Sequence, residues 1–468
     1  MCKLEIYRLW KGDLIVASNK RKVKNKRLST TKVVALSFAL LIVLGTILLC
    51  LPIASRSGES CGVLPALFTS TSATCVTGLS QFDTWTQWSG FGQVVILCLI
   101  EIGGLGFMSA ASLMVFLLRR KVGLRQRMLM AQALSVDDMQ SVVKLQKWVI
   151  FGSLSIQLTG ALILFFRFLP DYGAEQAAVW GIFHAVSAFC NAGFDIFGSI
   201  APGQSVAHFN SDPVVCITLM LLIIVGGLGF FVWEEVVRVR RFRKFSVYTK
   251  LVLLATLLLI AAGAGFIMLL EWDNPATLGN MSTGDKVMNS VFQSVTLRTA
   301  GFASFDQAGL TEGGKAVSAV LMLIGGSSGS TAGGMKTVTF MVLLLFLTTR
   351  LRGRSTVTVF KRSVQPEKVL DAMTIAVTMI GLCIVGAVVI CATSPVTFTD
   401  SLFESVSALA TVGLTTGATP ALSVAAQILI IIFMYFGRVG VLTLSLGFLM
   451  GNRAEDRFCY AHTNLLIG

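Results

Sequence analysis

Hydrophobic residues are grouped along this chain into long runs that polar loops separate. Eight runs are long enough to cross a bilayer as a helix, which takes about 20 apolar residues. They occupy residues 33–54, 91–118, 146–169, 213–238, 249–271, 314–349, 370–393 and 422–449. The pattern predicts an all-α polytopic membrane protein with eight transmembrane helices.

Shorter apolar stretches lie between the two members of each pair of runs. Each contains a Phe, then a segment with Ser or Thr, then a Gly followed by Leu or Phe. The stretches are 67–79 (LFTSTSATCVTGL), 182–194 (IFHAVSAFCNAGF), 291–302 (VFQSVTLRTAGF) and 402–414 (LFESVSALATVGL). Their glycines, Gly78, Gly193, Gly301 and Gly413, follow one another at intervals of 115, 108 and 112 residues. Such a period indicates one unit repeated four times.

Each unit is predicted to contain a span, a short helix entering from outside, a glycine turn that re-enters the membrane, and a second span. Non-helical backbone at membrane depth is tolerated only where it is buried in protein or lines a watery cavity. Four units around one axis would enclose a pore, and their backbone carbonyls could replace the hydration shell of a cation. The candidate lining is Val76, Thr77, Gly78, Asn191, Ala192, Gly193, Thr299, Ala300, Gly301, Thr411, Val412 and Gly413.

The units predicted from these repeats are 33–118, 146–238, 249–349 and 370–449. Residues 1–32 are expected to form a basic cytosolic extension rather than a cleaved signal peptide, because a long polar and basic segment precedes a run too long for a signal sequence. Residues 450–468 are expected to form a cytosolic tail.

Positive charge is concentrated in every second loop of the predicted topology. The basic residues include Lys20, Arg27, Arg119, Arg125, Arg238, Arg243, Arg350 and Arg362. By the positive-inside rule, these loops and both termini are predicted to be cytoplasmic. The formal net charge of +14 therefore reflects membrane topology, and a nucleic-acid partner is not predicted.

Acidic residues, by contrast, are frequent in the intervening loops. An acidic outer mouth would raise the local concentration of cations, although ordinary solvated loops are an equally good interpretation of each single acid.

Overall composition supports a bilayer environment. The chain has 468 residues, of which 54% are hydrophobic and 13% charged, and its mean hydropathy is +0.78. Soluble domains are far less apolar. The ten cysteines include no CxxC pair, so neither a zinc site nor a disulfide framework is predicted.

Residues 325–337 (GGSSGSTAGGMKT) interrupt the sixth apolar run with five glycines, three serines and two threonines. A composition with such low helix propensity predicts a break and a flexible loop below the pore lining. The spacing of Gly329 and Gly334 resembles a phosphate-binding G-x-x-x-x-G, but Met335 separates it from Lys336 and the flanks are apolar helix. A nucleotide site on this chain is not predicted.

Arg438 lies in the middle of the eighth run, where the other second helices carry glycine pairs. An arginine near the bilayer centre is costly and generally faces a cavity, which makes it a functional candidate. Snorkelling to the membrane surface is the alternative, and the distance of Arg438 from both ends of the run disfavours it.

The segments TCVTGL, FCNAGF, RTAGF and ATVGL, together with GGSSGSTAGGMKT, resemble those of the Trk/Ktr/HKT superfamily of cation transporters. The resemblance covers the chain from about residue 33. Because the first filter loop directly follows the first span, the chain is most similar to the eight-span membrane subunit of bacterial Ktr potassium uptake systems. The Trk subunit is the nearer alternative.

This resemblance implies uptake of potassium ions (K+) across the cell (plasma) membrane through a selectivity filter. Sodium (Na+) is a second candidate ion, because it stimulates many bacterial members. Plant relatives that favour sodium carry a serine at the first filter glycine, whereas this chain has Gly78. The resemblance also implies a homodimer in membrane lipid, with a pore in each protomer, seated on a ring of cytosolic nucleotide-binding regulatory subunits.

The resemblance further implies that the interrupted run forms an intramembrane gate and that Arg438 faces the pore and contacts it. The gate candidates are Gly325, Gly326, Ser327, Ser328, Gly329, Ser330, Thr331, Ala332, Gly333, Gly334, Lys336 and Arg438. Lys336 has a second interpretation, since it could instead reach the cytosolic interface.

Other polar residues near the predicted pore have structural alternatives. Arg298 and Glu404 are expected to hold the filter, Glu101 to bind a cation or to be a hydrogen-bonded buried acid, and His184 to pack. A sodium-permeable or Trk-type transporter remains the alternative function. A polytopic membrane enzyme would need an HExxH motif, paired histidine ligands or a catalytic dyad, and none is evident. A membrane scaffold would leave the four matched loops unexplained.

Overall fold

The computed structural model describes residues 30–106 and 142–440. Several predicted segments lie wholly or partly outside these residues. They are the N-terminal extension up to residue 29, the end of the second span with the basic loop after it, the end of the eighth span from residue 441, and the tail 450–468.

Helices account for most of the described residues. The first half contains α1 (Thr30–Leu49), α2 (Val63–Cys75), α3 (Thr84–Gln87), α4 (Gly90–Leu105), α5 (Val142–Cys190), α6 (Pro213–Leu228) and α7 (Phe230–Val239). The second half contains α8 (Val247–Glu271), α9 (Thr283–Thr296), α10 (Glu312–Leu323), α11 (Thr337–Leu351), α12 (Pro366–Thr393), α13 (Phe398–Leu409) and α14 (Val424–Val439).

Single turns of 3₁₀-helix lie at Pro52–Ala54, Phe197–Ser199, Ala207–Phe209, Phe242–Lys244 and Thr419–Ala421. A small antiparallel hairpin, β1 (Thr358–Val359) with β2 (Arg362–Ser363), was not predicted from the sequence.

Four of the described helices, α1, α5, α8 and α12, are long and apolar enough to cross a membrane. Helices α6 and α7 would form a fifth span if counted together, but they meet at an angle of 95°. Helices α4, α11 and α14 are apolar but shorter. The predicted straight span at 213–238 is therefore bent, and the predicted interruption of 314–349 separates α10 from α11.

Glycines explain where the shorter helices end. Helix α4 stops at Gly106 (φ 84°), α6 at Gly229 (φ 91°) and α14 at Gly440 (φ 95°). A residue with positive φ cannot continue a right-handed helix, and glycine adopts this conformation without a Cβ clash. Helix α5 is also broken, at Gly173 (φ 77°), which separates its long apolar part from its last turns before Cys190.

The outward faces of the long helices are apolar and exposed. On α12, for example, Val377, Ile384 and Val388 each expose about half of the side chain or more. Such a surface would be unfavourable in water, whereas hydrocarbon tails of lipid solvate it.

The short helices α2, α9 and α13 and the end of α5 are, by contrast, buried in the centre of the molecule. Helices α9 and α13 begin with similar caps. Ser282 accepts a hydrogen bond from the Asp285 N–H (3.3 Å), and Thr397 accepts one from the Asp400 N–H (3.2 Å). These caps satisfy N–H groups that the first turn of a helix leaves unpaired, and they fix the direction in which each helix enters the centre.

Candidate ion pore and the loop below it

The four central helices end in the same unusual backbone conformation. Within three residues of its end, each has a non-glycine residue with positive φ: Val76 (58°), Asn191 (59°), Thr299 (69°) and Thr411 (53°). Two residues later stand the repeated glycines, also with positive φ: Gly78 (97°), Gly193 (69°), Gly301 (84°) and Gly413 (94°). Left-handed β-branched residues are rare, and they persist only where the surrounding structure determines the conformation.

Backbone hydrogen bonds inside the turns explain this conformation. In three copies, an N–H donates at 2.8 Å to the carbonyl five residues earlier: Thr77 to Ser72, Ala192 to Ser187, and Val412 to Ser407. In the third copy, Ala300 donates to Thr296 at 2.9 Å, only four residues back. The different bond matches the sequence, since the third stretch is one residue shorter between its Phe and its Gly.

Ser and Thr side chains near the end of each central helix also hold the turn. Ser72 and Ser407 accept hydrogen bonds from the N–H groups of Gly78 (3.0 Å) and Gly413 (3.1 Å). Ser187 and Thr296 donate to the carbonyls of Phe194 and Phe302, both at 2.7 Å. These hydroxyls recur near the same place in the four stretches, so the repeat itself marks them.

The four turns form a closed ring. A Cβ atom on Gly78 would strike the Ala192 carbonyl oxygen, and one on Gly193 would strike that of Ala300. A Cβ on Gly301 would strike the Val412 carbonyl, and one on Gly413 that of Thr77. Each glycine thus lies against the carbonyl that precedes the next glycine. We call the carbonyls of Thr77, Ala192, Ala300 and Val412 the carbonyl ring; no side chain larger than glycine's fits beside it.

Three threonines of the same segments carry hydroxyls with no hydrogen-bond partner among the described residues: Thr77, Thr299 and Thr411. All three side chains are fully buried. A buried polar group without a partner is costly, so such groups usually serve a ligand, an ion or a water molecule. The carbonyl ring and these hydroxyls together offer only neutral oxygens, which suit a monovalent cation.

A cavity of 630 Å³ lies on one side of the ring, and the four repeated glycines form part of its wall. Asp83, Asp195 and Asp306 also line it. Burial, followed by the nearby negative charge of Asp83, raises the pKa of Asp195 to about 7. Among the described residues, no group of three or more metal-ligating side chains is present.

Glu404 bonds the segment that follows the fourth turn. Its fully buried carboxylate accepts hydrogen bonds from the Thr419 hydroxyl (2.7 Å), the Thr416 N–H (3.2 Å) and the Thr415 hydroxyl. Arg298 lies below the third turn and donates to the Thr337 hydroxyl at 3.4 Å. It forms no ion pair within the part of the chain that the structure describes.

Glu101 and His184 lie in hydrogen-bonded surroundings. The Glu101 carboxylate accepts hydrogen bonds from Gln157 (2.9 Å) and from the Cys190 thiol (3.4 Å), which favours the buried-acid interpretation over a cation site. His184 accepts from the Ile196 N–H at 3.3 Å, so its Nδ1 carries the proton and donates to the Trp180 carbonyl at 2.8 Å. The ring of His184 also stacks on Phe197.

Residues 325–337, which we call the Gly/Ser loop, lie directly below the carbonyl ring. Its two ends meet, because the Gly325 N–H donates to the Met335 carbonyl (2.9 Å) and the Thr337 N–H to that of Gly326 (3.0 Å). A Cβ on Gly333 would strike the Thr411 side chain. The chain therefore leaves α10, passes beneath the ring and returns to α11.

Helix α6 and the bend after it supply partners for the loop backbone. The Ser327 N–H donates to the Gly227 carbonyl (3.0 Å), and the Thr331 N–H donates to that of Gly226 (3.3 Å). In the other direction, the Phe230 N–H donates to the Gly329 carbonyl (2.8 Å). The sequence indicated neither this pairing nor the bend at Gly229, because both depend on contacts about 100 residues apart.

Arg438 bridges the loop to α4. Its guanidinium donates to the carbonyls of Thr331 and Gly103 and, at 3.0 Å, to the carbonyl of Gly104. Lys336 bonds within the loop, donating to the Ala332 carbonyl at 2.7 Å. The alternative in which Lys336 reaches the cytosolic interface is not what the structure has.

The ring and the loop lie in a mostly helical fold, in which four of the described helices are long and apolar enough to cross a membrane. The TrkH family model, described as a cation transport protein, matches residues 8–455, and the chain belongs to this family. The resemblance to the Trk/Ktr/HKT superfamily is thereby confirmed.

Individual relatives have potassium in their names. Ktr system potassium uptake protein B of Bacillus subtilis (strain 168) is 41% identical over 436 residues, which cover 93% of this chain and 96% of that protein. Potassium/sodium uptake protein NtpJ of Enterococcus hirae is 38% identical over 455 residues, covering 96% and 99%. These relatives are named as uptake proteins rather than enzymes.

Among solved structures, the potassium transporter TrkH from Vibrio parahaemolyticus matches with a TM-score of 0.71. The match covers 92% of this chain and 87% of that one, at 19% sequence identity. At this identity the likeness concerns the fold alone. The fold of a membrane-embedded transport protein and the family membership thus agree.

Proposed function

We propose that this protein takes up potassium across the cell membrane through a pore that four helix, re-entrant loop, helix units enclose. Eight spans with both termini in the cytosol would provide these units. The observation that carries the proposal is the closed carbonyl ring of Thr77, Ala192, Ala300 and Val412. Oxygens at fixed positions around an axis can replace the water shell of a dehydrated cation.

Potassium is the preferred ion in this proposal, and sodium is the second candidate. The related proteins are named for potassium uptake or for potassium and sodium uptake. Gly78 keeps the ring undistorted, because a Cβ at this position would strike the Ala192 carbonyl oxygen. Neutral oxygens can bind both sodium and potassium, and the geometry of the ring decides which ion binds more tightly. The geometry of the ring is therefore the property to test.

The Gly/Ser loop and Arg438 form the gate in this proposal. The loop lies beneath the ring, and its glycines and serines allow two arrangements of similar free energy. Arg438 donates to the Thr331 carbonyl and places a positive charge beside the path. Moving the loop aside would clear the path and remove its bonds to α6 and α14.

Regulation is assigned to a separate cytosolic subunit that binds nucleotide, assembled as a ring under a homodimer of this chain in the lipid membrane. The name of the Bacillus subtilis relative refers to a Ktr system, which supports a multi-component assembly. Exposed cations in the last turn of α7 and in the segment before α8 offer a docking surface: Arg238, Arg240, Arg241, Arg243 and Lys244.

Flux measurements in liposomes test the pore itself. The full chain and a form lacking residues 327–333 would be reconstituted with gradients of potassium, rubidium or sodium. We expect potassium and rubidium to cross faster than sodium, and the shortened form to conduct without a partner. Flux no greater than in protein-free liposomes for both forms, at equal reconstitution, would contradict the proposal.

A further inference from the structure

The edge of the Gly/Ser loop that faces away from the carbonyl ring is held by a tyrosine. Tyr248 lies in the first turn of α8, and its hydroxyl donates to the Ser328 carbonyl at 2.8 Å. The bond joins residues 80 positions apart in the sequence. The loop partners described above come from α6, α7 and α14, whereas Tyr248 adds a partner from α8.

The neighbouring residue of the loop is held by α7. The Gly329 carbonyl accepts from the Phe230 N–H at 2.8 Å. The Phe231 ring also packs on Gly329, since a Cβ there would lie 2.9 Å from the ring. The start of α8 and the start of α7 therefore hydrogen-bond two consecutive residues of the loop, Ser328 and Gly329.

Glu235 joins these two helix starts into one unit. Its carboxylate on α7 accepts hydrogen bonds from the Ser246 N–H (2.6 Å), the Ser246 hydroxyl (2.7 Å) and the Thr249 hydroxyl (2.5 Å). Ser246 is also the N-cap of α8. A carboxylate that bonds the N-cap residue and the first turn of a helix fixes that helix end in place, so Tyr248 cannot shift without α7.

The segment between α7 and α8 exposes the cations Arg240, Arg241, Arg243 and Lys244. A displacement of this segment reaches Ser328 and Gly329 along two routes: through Phe230 at the start of α7 and through Tyr248 at the start of α8, which Glu235 bonds to α7.

We propose that Tyr248 is a positioning residue that keeps the Gly/Ser loop beneath the carbonyl ring, and that the corner formed by α7 and the start of α8 transmits cytosolic displacements to the loop. This inference rests on the gate proposed above. If the hydrogen bond from the Tyr248 hydroxyl is lost, the ratio of displaced loop to loop beneath the ring should rise roughly two- to tenfold.

The experiment compares potassium flux in liposomes for four chains: wild type, Tyr248→Phe, a chain lacking residues 327–333, and the two changes combined. Phe keeps the ring and removes only the donor. We expect Tyr248→Phe to raise partner-independent flux by roughly two- to tenfold with unchanged potassium-to-sodium preference. In the shortened chain, Tyr248→Phe should have no further effect, because the acceptor Ser328 is gone.

Tyr435→Phe is the matched control. Tyr435 also donates to a backbone carbonyl at 2.8 Å, that of Ala35 on α1, away from the loop. Its flux should equal that of the wild type. A second variant, Glu235→Gln, should act in the same direction as Tyr248→Phe, since it weakens the link between α7 and α8 without changing side-chain size.

Different outcomes separate the two levels of the proposal. If the shortened chain conducts more than the wild type while Tyr248→Phe does not, the role of Tyr248 is wrong and the gate stands. An equal effect of Tyr248→Phe with and without residues 327–333 also overturns the role, because the effect would then bypass the loop. If the shortened chain conducts no more than the wild type, the gate itself is wrong.

Discussion

Arg438 donates a hydrogen bond to the backbone carbonyl of Thr331, 107 residues away in the sequence, and so fastens α14 to the middle of the Gly/Ser loop. The same guanidinium bonds the carbonyls of Gly103 and Gly104 at the end of α4. An arginine has five donors in a planar fork and no acceptor, which suits it to several carbonyls at once. The loop is therefore clamped between two helices by a single charged side chain.

Replacing Arg438 with Ala should release this clamp. We expect a several-fold rise in potassium flux in liposomes and weaker dependence on a regulatory partner, with unchanged potassium-to-sodium preference. Arg438→Lys keeps the charge, but one ammonium cannot reach both Thr331 and α4. The flux of Arg438→Lys should therefore lie between that of the wild type and that of Arg438→Ala. Flux in Arg438→Ala equal to that of the wild type, at equal membrane abundance, would leave Arg438 with a packing role only.

Gly78 tests the carbonyl ring. Gly78→Ser places a Cβ against the Ala192 carbonyl at a residue whose φ is 97°. Backbone strain at such a φ costs on the order of 1–2 kcal/mol before the clash is counted. We expect weaker discrimination between potassium and sodium, measured as relative flux. Gly265→Ser is the control, because its Cβ on α8 would meet nothing within 4 Å, and an identical change in both variants would contradict the ring assignment.

Glu404 and Glu271 are a matched pair of fully buried carboxylates, of which only Glu404 bonds the segment directly after a turn of the ring. Glu271 accepts from Thr311, Asn274 and Thr277 away from the turns. Each unpaired buried donor costs about 1–3 kcal/mol, so Glu404→Ala and Glu271→Ala should both lower the melting temperature. Only Glu404→Ala should also reduce the potassium-to-sodium flux ratio. Equal selectivity in the two variants would show that Glu404 only stabilises the fold.

The four turns were predictable from the sequence because their chemistry is local. A left-handed turn after a helix favours glycine, and the repeats at Gly78, Gly193, Gly301 and Gly413 mark these positions without any knowledge of tertiary contacts. The interruption of the sixth run was predictable for the same reason, since glycine and serine disfavour a helix.

The partners of these segments were not predictable. The bend at Gly229 and the bond from Tyr248 to Ser328 depend on elements about 80 to 100 residues apart. A sequence window reports helix propensity and apolar periodicity; Gly226, Gly227 and Gly229 lower the helix propensity within 213–238, but the apolar run continues across them and does not show a bend. Arg438 was found because a charge in an apolar run is conspicuous, whereas its acceptors are backbone carbonyls, which every residue has.

The raised pKa of Asp195 leads us to expect that potassium uptake depends on external pH. Burial and the nearby charge of Asp83 raise the pKa of Asp195 to about 7, so the carboxylate is charged above this pH and neutral below it. A charged Asp195 in the mouth attracts cations, and losing one charge should lower potassium uptake at low concentration by roughly two- to threefold. Uptake should therefore fall as the external pH drops through about 7.

Two variants check this dependence. Asp195→Asn should show, at every pH, the reduced uptake that the wild type shows at low pH. It should therefore lack the step, that is, the fall in uptake as the pH drops. Asp83→Asn removes the neighbouring charge, which lowers the pKa of Asp195 and moves the step to lower pH, and Asn retains the ability to cap α3. High salt should reduce the step in the wild type by screening. A step of the same size and midpoint in Asp195→Asn would assign the pH response to another group.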